Sequence, residues 1–289
     1  MPGGTLVGMA LGYWHDVLSD GLAVPTDRPL DDLTVELTQM LGSADPQVRD
    51  GIAYPTLATW IGRGTYDDLL PGLGDGMAAG LQVGLGEDAG PHVFRRSFSA
   101  LVLAECLERD TAACVLPAET VLSWGDALAG WFVRERDLRG WVDGHGWAHA
   151  IAHGADALGS LAHSRHLSAP ELTVLLDVVA DRVLADEAPY AHGETDRHAQ
   201  AVLAVLRRDL VPVSVVQPWL RRLGAAASTR RTPRGNPYAG TLNAEALLRS
   251  LLIHLELAEP AVPERADLLL AIIDVLRATN PHTLGPTAR

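Results

Sequence analysis

The sequence predicts an all-α protein, and three observations support this fold class. Strand signals are scarce, since aromatic residues make up 5% of the chain and no long stretch alternates polar and apolar residues. Apolar residues instead recur at helical spacing along almost the whole chain. Five segments of similar pattern also repeat through the sequence, which is typical of helical-repeat proteins.

Helix-start signals divide the chain into successive helices. Asp31 and Asp32 are placed to begin one apolar stripe, and Asp45-Pro46 is typical of a cap followed by a first-turn proline. Further helices are predicted from Pro91 to about Arg109, from Pro117 to about Trp131, and over 172–185, 243–257 and 264–278. The Gly-rich segment 72–90 and the Arg-, Gly- and Pro-rich segment 225–240 are predicted to be loops.

The five similar segments each have a polar start followed by small and apolar residues. They are residues 48–61, 94–107, 148–161, 196–209 and 244–257. Their alignment pairs Arg49, Arg95, His149, Arg197 and Glu245, so the spacing is 46 to 54 residues. HEAT and armadillo repeats have periods of about 40–47 residues. The sequence therefore predicts a single helical domain over 1–289 that forms a HEAT-like α-α superhelix, and the alternative is a compact irregular helical domain.

A superhelix of this kind places the second helix of each pair on its concave face. The polar starts of the five segments are then expected along one groove. They are Arg49 and Asp50, Arg95 and Arg96, His149, Arg197, and Glu245.

The charge balance and the cysteine count limit the partners and the compartment. The formal net charge is −13, with 36 acidic residues against 23 basic residues, all of which are arginine. Such a chain lacks the basic footprint of a non-specific nucleic-acid binder. Only Cys106 and Cys114 occur, with no metal-type spacing, and no apolar run reaches membrane-spanning length. We therefore expect a cytoplasmic protein with no nucleic-acid or membrane partner.

The densest polar and aromatic stretch covers residues 134–156. It is predicted to form a charged loop over 134–146 and a helix that begins at Trp147. Successive residues of a helix are rotated by about 100°. The polar side chains that then share one face are His149, His153, Asp156, Ser160 and His163. Ile151, Ala155, Leu158 and Ala162 fall on the opposite face and are predicted to pack against the core.

The spacing of His149 and His153 permits three interpretations. Two histidines four residues apart on a helix point the same way, as in helical zinc sites, and Asp156 would be a third ligand. The fourth ligand would come from Glu135, Asp137, His192, Glu194 or His198. The general base of an HExxH site is missing, because Ala150 occupies its position. The alternatives are hydrogen bonds from the histidines to acidic partners such as Asp137 or Asp143, and general-base catalysis without a metal.

A second set of residues is predicted to bind an anion. Arginine grips a carboxylate or phosphate with two hydrogen bonds, and the start of a helix favours negative charge. The predicted ligand-binding residues are Arg95, Arg96, Ser97, Glu135, Asp137, Arg139, Trp147 and Arg197. The alternative is that these arginines pair with Glu135 or Asp137. The glycines of 72–80 are interpreted as a plain loop or a phosphate loop, and the basic segment 221–234 as a solvated loop or a lid.

Four stretches of the chain resemble a bacterial family of unknown function, DUF2785. They are residues 45–61, 92–107, 134–158 and 243–252, and the third is long and specific. The resemblance implies no activity. It does imply that three parts form one unit: Arg96–Ser97, the loop carrying Glu135, Asp137 and Arg139, and the helix carrying Trp147, His149, His153 and Asp156. An aliphatic residue is expected in the family at position 198, so a metal role for His198 is discounted.

Three functions follow as hypotheses. The first is a helical-repeat protein whose concave site binds a small anionic molecule or peptide. The second is a metal-dependent, hydrolase-like enzyme that uses His149, His153 and Asp156 around a divalent ion such as zinc. The third is a scaffold that binds another protein.

Overall fold

The computed structural model describes residues 3–185, 188–228 and 239–284, and helices dominate it. In the first half of the chain they are α1 (Gly3–Ser19), α2 (Leu30–Met40), α3 (Pro46–Val48), a π-helical turn (Arg49–Ala53), α4 (Tyr54–Gly62), α5 (Leu70–Gly80), α6 (His92–Ala113) and α7 (Ala118–Phe132). A two-stranded hairpin, β1 (Trp141–Val142) and β2 (Gly146–Trp147), follows. The remaining helices are α8 (Ala150–Ala162), α9 (Ala169–Ala185), α10 (Glu194–Arg207), α11 (Val213–Ser228), α12 (Ala239–Leu257) and α13 (Arg265–Thr279). The all-α prediction is confirmed.

Contacts within the chain divide it into two compact units. Unit 1 comprises the described residues of 1–127 and 135–150, and unit 2 those of 128–134 and 151–289. Each of the five similar segments falls on a helix, and these helices are α4, α6, α8, α10 and α12. The single helical domain and its HEAT-like superhelical path stay predictions.

The helix-start signals are confirmed to within a few residues. Asp31 and Asp32 lie in the first turn of α2, where acidic side chains favour the positive end of the helix. The Asp45 carboxylate caps α3 by accepting a hydrogen bond from the Gln47 backbone N–H at 2.9 Å. Pro91 immediately precedes α6.

The predicted loop over 72–90 is wrong in its first half, because residues 72–80 belong to α5. Two of the glycines allow this helix to pack closely against its neighbours. A Cβ atom on Gly74 would overlap the Trp124 ring, and one on Gly80 would overlap the Ser99 hydroxyl. The phosphate-loop interpretation of 72–80 is wrong for the same reason.

The predicted loop over 225–240 is only partly described. Its central residues, 229–238, lie outside the described residues, as does the end of the basic segment 221–234. Residues 225–228 belong to α11, and 239–240 begin α12. The loop bounds were therefore too wide at both ends.

Unit 2 packs α10, α11, α12 and α13 against one another. The apolar face predicted for the helix after residue 147 is confirmed, since Ile151, Ala155, Leu158 and Ala162 are all buried. His153 and Asp156 are partly exposed and His163 is exposed, as the same pattern requires, although Ser160 is buried. Across the described part of the chain, no helix has both the length and the apolar character of a membrane span.

Candidate functional site

Arg96 of α6 lies fully buried in unit 1 and is held by four hydrogen bonds. Its Nε and Nη2 atoms donate to the two carboxylate oxygens of Glu135, at 2.5 and 2.8 Å. Its Nη1 atom donates to the carbonyls of Val83 and Gly84, both at 2.9 Å. Both members of the ion pair have no exposed side-chain surface. Arg96 therefore joins three segments of the chain and presents no free face to a ligand.

The loop after α7 continues this arrangement through a second arginine. The Glu135 carboxylate also accepts the backbone N–H groups of Arg136 and Asp137, at 2.9 and 3.0 Å. Arg139 then pairs with the buried carboxylate of Asp137, with an Nη2 to Oδ2 distance of 2.5 Å, and donates to the Gly90 carbonyl at 2.8 Å. We call Arg96, Glu135, Asp137 and Arg139 the Arg96 network. These contacts match the alternative prediction, in which the arginines pair with Glu135 or Asp137 rather than with a ligand.

The residues after the network form a hairpin rather than the first turn of a helix. The backbone N–H groups of Ala148 and His149 donate to the carbonyls of Gly140 and Arg139, at 2.8 and 3.0 Å. His149 has a left-handed backbone, with φ of 50°. These bonds and the left-handed conformation of His149 keep residues 147–149 out of the helix, so the helix begins at Ala150 and the prediction that it begins at Trp147 is wrong.

The hairpin carries an aromatic cluster on its surface. The His149 ring stacks on Trp147, with centroids 4.3 Å apart, and Trp141 meets Trp147 edge to face at 5.0 Å. Trp141 is 51% exposed and Trp147 is 40% exposed. The Trp141 indole donates to Asp143 at 3.1 Å. Ser97 of α6 donates its hydroxyl to the Ala148 carbonyl and so ties the base of this hairpin to the helix.

Arg49, which was expected along the groove, is also enclosed. It pairs with Asp50 at 3.0 Å and donates to the His145 carbonyl at 2.8 Å. Its guanidinium group lies over the rings of Phe94 and Phe98, at 4.2 and 4.9 Å from their centroids. Burial raises the pKa of Asp50, while its hydrogen bonds to Arg49 oppose that effect.

Arg197, His153 and Asp156, which are also predicted site residues, lie in unit 2. Arg197 of α10 forms an ion pair with Asp156 of α8 at 3.2 Å, and both side chains have exposed surface. His153 lies on the same face of α8 as Asp156. Glu245, at the fifth polar start, pairs with Arg249 at 2.6 Å. His149 precedes α8 and belongs to unit 1. The polar stripe predicted to begin at His149 therefore begins at His153 on the helix.

The remaining fourth-ligand candidates are buried or paired within unit 2. The Glu194 carboxylate accepts the His192 backbone N–H at 2.7 Å. His198 is fully buried, its Nδ1 atom lies 2.6 Å from the Glu194 carbonyl, and its ring stacks on Tyr190. Burial lowers the pKa of His198 to about 4. Within residues 3–185, 188–228 and 239–284, no three His, Cys, Asp or Glu side chains are grouped as a metal site would require.

Arg95, next to Arg96, has a different environment. It is half-buried at the edge of a cavity of about 710 Å³ in unit 1, which we call the α2–α5 cleft. Its Nη1 atom donates to the Thr38 carbonyl. Among the residues that the structure describes, no carboxylate lies within ion-pair distance of Arg95, and burial lowers its pKa.

Two helices contribute the walls of the cleft with the same spacing. The residues from α2 are Asp31, Thr34, Val35, Thr38 and Gln39. The residues at the start of α5 and along it are Leu69, Gly72, Leu73, Gly76 and Met77. Both sets follow the i, i+3, i+4, i+7, i+8 pattern of a single helix face. A Cβ atom on Gly72 or Gly76 would meet nothing within 4 Å, so these glycines leave the cleft open.

The comparison with known families identifies the family to which the chain belongs. A family described as a protein of unknown function (DUF2785) matches residues 81–253, which is more than half of the chain. The chain belongs to the DUF2785 family. No curated protein and no solved structure matches it. In this DUF2785 protein, the match covers Arg95 and the Arg96 network, whereas α2 and α5 lie before it.

The structure therefore brings together part of the site predicted for this DUF2785 protein. Arg96, Ser97, Glu135, Asp137 and Arg139 meet as expected, but they bind one another and the backbone. Of the arginines predicted to bind a ligand, Arg95 lines the α2–α5 cleft. Sequence reasoning missed the residues of α2 that face it, although their helical spacing, from Asp31 to Gln39, was a readable signal.

Proposed function

We propose that this DUF2785 protein binds a small organic anion in the α2–α5 cleft, with Arg95 as the cation that holds it. The observation that carries the proposal is the half-buried guanidinium of Arg95, which lies beside a largely apolar cavity without a carboxylate partner in the described chain. The sequence predicts binding of a small anionic molecule or peptide, and the cleft supports that class of function.

The physical argument rests on charge and desolvation. A cation that is half removed from water and lacks a counterion gains free energy when an anion binds to it. Guanidinium groups form strong, charge-assisted hydrogen bonds to carboxylates. Apolar walls, supplied here by Val35, Leu73 and Met77, exclude water from such a contact and favour an apolar ligand body.

The Arg96 network supports this assignment by contrast. Arg96 and Arg139 already have carboxylate partners, so an incoming anion would have to displace Glu135 or Asp137. Breaking a buried ion pair costs about 3–5 kcal/mol. An anion therefore finds a lower-cost site at Arg95.

We propose further that the helices continue the repeat along the chain as a HEAT-like array. The support is that the five similar segments fall on α4, α6, α8, α10 and α12, which alternate with other helices. The metal-dependent hydrolase, the protein-interaction scaffold and the cytoplasmic location stay predictions from the sequence.

The experiment is a calorimetric titration with octanoate, a simple carboxylate with an apolar tail. We compare the wild type with Arg95→Gln and with Arg136→Gln, which removes the same charge from a largely exposed side chain. We expect saturable binding to the wild type, an affinity at least tenfold lower for Arg95→Gln, and an unchanged affinity for Arg136→Gln. A tenfold loss corresponds to about 1.4 kcal/mol, as expected for a lost charged hydrogen bond.

Circular dichroism confirms that each variant is folded before titration. Arg95→Lys is a second test variant, since it keeps the positive charge but cannot form the bidentate hydrogen bonds of a guanidinium group. Equal octanoate affinity in the wild type and Arg95→Gln would overturn the proposal, as would the absence of any octanoate binding to the wild type.

A further inference from the structure

The two ends of the α2 wall of the cleft carry opposite charges. At one end, the Thr38 carbonyl holds the guanidinium of Arg95. At the other end lies Asp31, in the first turn of α2, and its exposed carboxylate lines the cleft. Seven residues separate Asp31 from Thr38, and a helix rises about 1.5 Å per residue, so the two ends are about 10 Å apart along the helix axis.

The wall between these ends is apolar. Val35 of α2 is 57% exposed although it is a large hydrophobic residue, and it lines the cleft. Leu69, which is also exposed, and Leu73 and Met77 line it from the side of α5. A ligand that reaches both charged ends must therefore have an apolar middle.

Hydrogen-bond acceptors predominate at the Asp31 end. The Thr34 hydroxyl donates to the Leu30 carbonyl at 2.7 Å. Because that hydroxyl has a single proton, the buried Tyr66 hydroxyl is the donor in the 2.9 Å bond between them, so neither hydroxyl has a proton left to donate to a ligand. Burial, with a smaller contribution from the nearby Asp31, raises the pKa of Tyr66 to about 12, so the phenol stays neutral.

We infer that the α2–α5 cleft selects a monocarboxylate with an apolar middle and a hydrogen-bond donor, such as an ammonium group, at its far end. The carboxylate pairs with Arg95, and the donor lies at the exposed carboxylate of Asp31. A second anionic group would be repelled at that end by Asp31, so dicarboxylates are expected to bind more weakly than monocarboxylates. This inference rests on the proposed function, because it assumes that the carboxylate binds at Arg95.

The test compares four ligands of equal chain length by calorimetry: octanoate, ω-aminooctanoate, octylamine and suberate. With the wild type, we expect ω-aminooctanoate to bind about two- to fivefold more tightly than octanoate, since Asp31 is exposed and an exposed ion pair contributes modestly. Octylamine lacks the carboxylate and is expected to bind at least tenfold more weakly than octanoate. A dicarboxylate, suberate, is expected to bind more weakly than octanoate.

Asp31→Asn is the decisive variant, and Asp32→Asn is its matched control, because Asp32 is the next residue and does not line the cleft. We expect Asp31→Asn to remove the preference for ω-aminooctanoate over octanoate. Asp32→Asn is expected to keep the preference.

The outcomes separate the two proposals. Octanoate binding that depends on Arg95 but shows no preference for ω-aminooctanoate would overturn the ligand class and leave the proposed function in place. A preference that persists in Asp31→Asn would overturn the role of Asp31. Octylamine binding as tight as octanoate binding would overturn both proposals.

Discussion

Arg95 and Arg96 are neighbours on α6, and their environments differ in almost every respect. Arg96 is fully buried, has four hydrogen bonds and pairs with an equally buried Glu135. Arg95 is half-buried, donates to one backbone carbonyl, and faces an open cleft. The charges of the Arg96 network are thus paired within the protein itself, whereas Arg95 at the α2–α5 cleft has no carboxylate partner among the described residues.

The difference shows how to separate structural from functional polar residues. A dense cluster of charged side chains near the middle of a sequence is a good sign that the residues meet. It does not show that the residues are available to bind a ligand. A buried ion pair must be broken before either of its members can bind a ligand, and breaking it is costly. Availability depends on whether a charge lacks a partner and whether space adjoins it.

The largest expected effect follows from removing one side of the Arg96 network. Arg96→Ala leaves the Glu135 carboxylate buried without its partner, and we expect the free energy of unfolding to fall by about 3–5 kcal/mol. Arg95→Ala removes a charge without stranding another, and we expect a change of at most about 1 kcal/mol. Urea unfolding measures the free energy of unfolding of both variants. Equal losses would contradict the claim that Arg96 is structural and Arg95 is not.

A second comparison concerns two glycines of α5, one that packs and one that lines the cleft. Gly74→Ala places a methyl group against Trp124, and we expect overpacking to cost about 1–3 kcal/mol. Gly76→Ala meets nothing within 4 Å, and its better helix propensity is expected to stabilise the protein by about 0.5–1 kcal/mol. Thermal unfolding of the two variants is sufficient to check the opposite signs.

The open position at Gly76 permits a test in which a larger side chain fills the α2–α5 cleft. Gly76→Leu projects a large side chain into the cleft, and we expect octanoate affinity to fall at least tenfold with little loss of stability. Gly76→Ala, which adds one methyl group, is the control and is expected to change the affinity less. If Gly76→Leu binds octanoate as well as the wild type does, the ligand lies elsewhere.

The smallest expected effect on binding belongs to Arg139. Arg139→Gln weakens the contact to the buried carboxylate of Asp137, so we expect a stability loss of about 1–3 kcal/mol. Because Arg139 does not line the cleft, octanoate affinity is expected to stay within twofold of the wild-type value. A large drop in affinity in a folded Arg139→Gln protein would favour the predicted site at the Arg96 network.

Much of the helical architecture could be predicted, because its signals are local. Prolines and acidic residues at helix starts placed α2, α3, α6 and α7 to within a few residues. The start of α8 could not be placed, because the backbone bonds of residues 148–149 to Arg139 and Gly140 are formed with another part of the chain. The helical state of α5 was missed because its glycines favour a loop locally and are required by contacts with Trp124 and Ser99.

Of the candidate site, the sequence predicted which residues come together but not the contacts that they make. The sequence correctly grouped Arg96 with Glu135, Asp137 and Arg139, since these residues lie in the stretches that resemble the family. It gave the pairing of the arginines with Glu135 or Asp137 as one of two alternatives, and it could not decide between them because ion pairing depends on three-dimensional distance. Nor did it show that residues more than fifty positions earlier, in α2, would form a wall beside Arg95.

The most direct measurement of the central claim is a crystal structure of the full chain grown with octanoate. We expect the carboxylate within about 2.7–2.9 Å of the Arg95 guanidinium, with the tail between Val35 and Gly76 and the Arg96–Glu135 pair unchanged. Octanoate bound to Arg139 or against Trp147, with the α2–α5 cleft empty, would contradict the account.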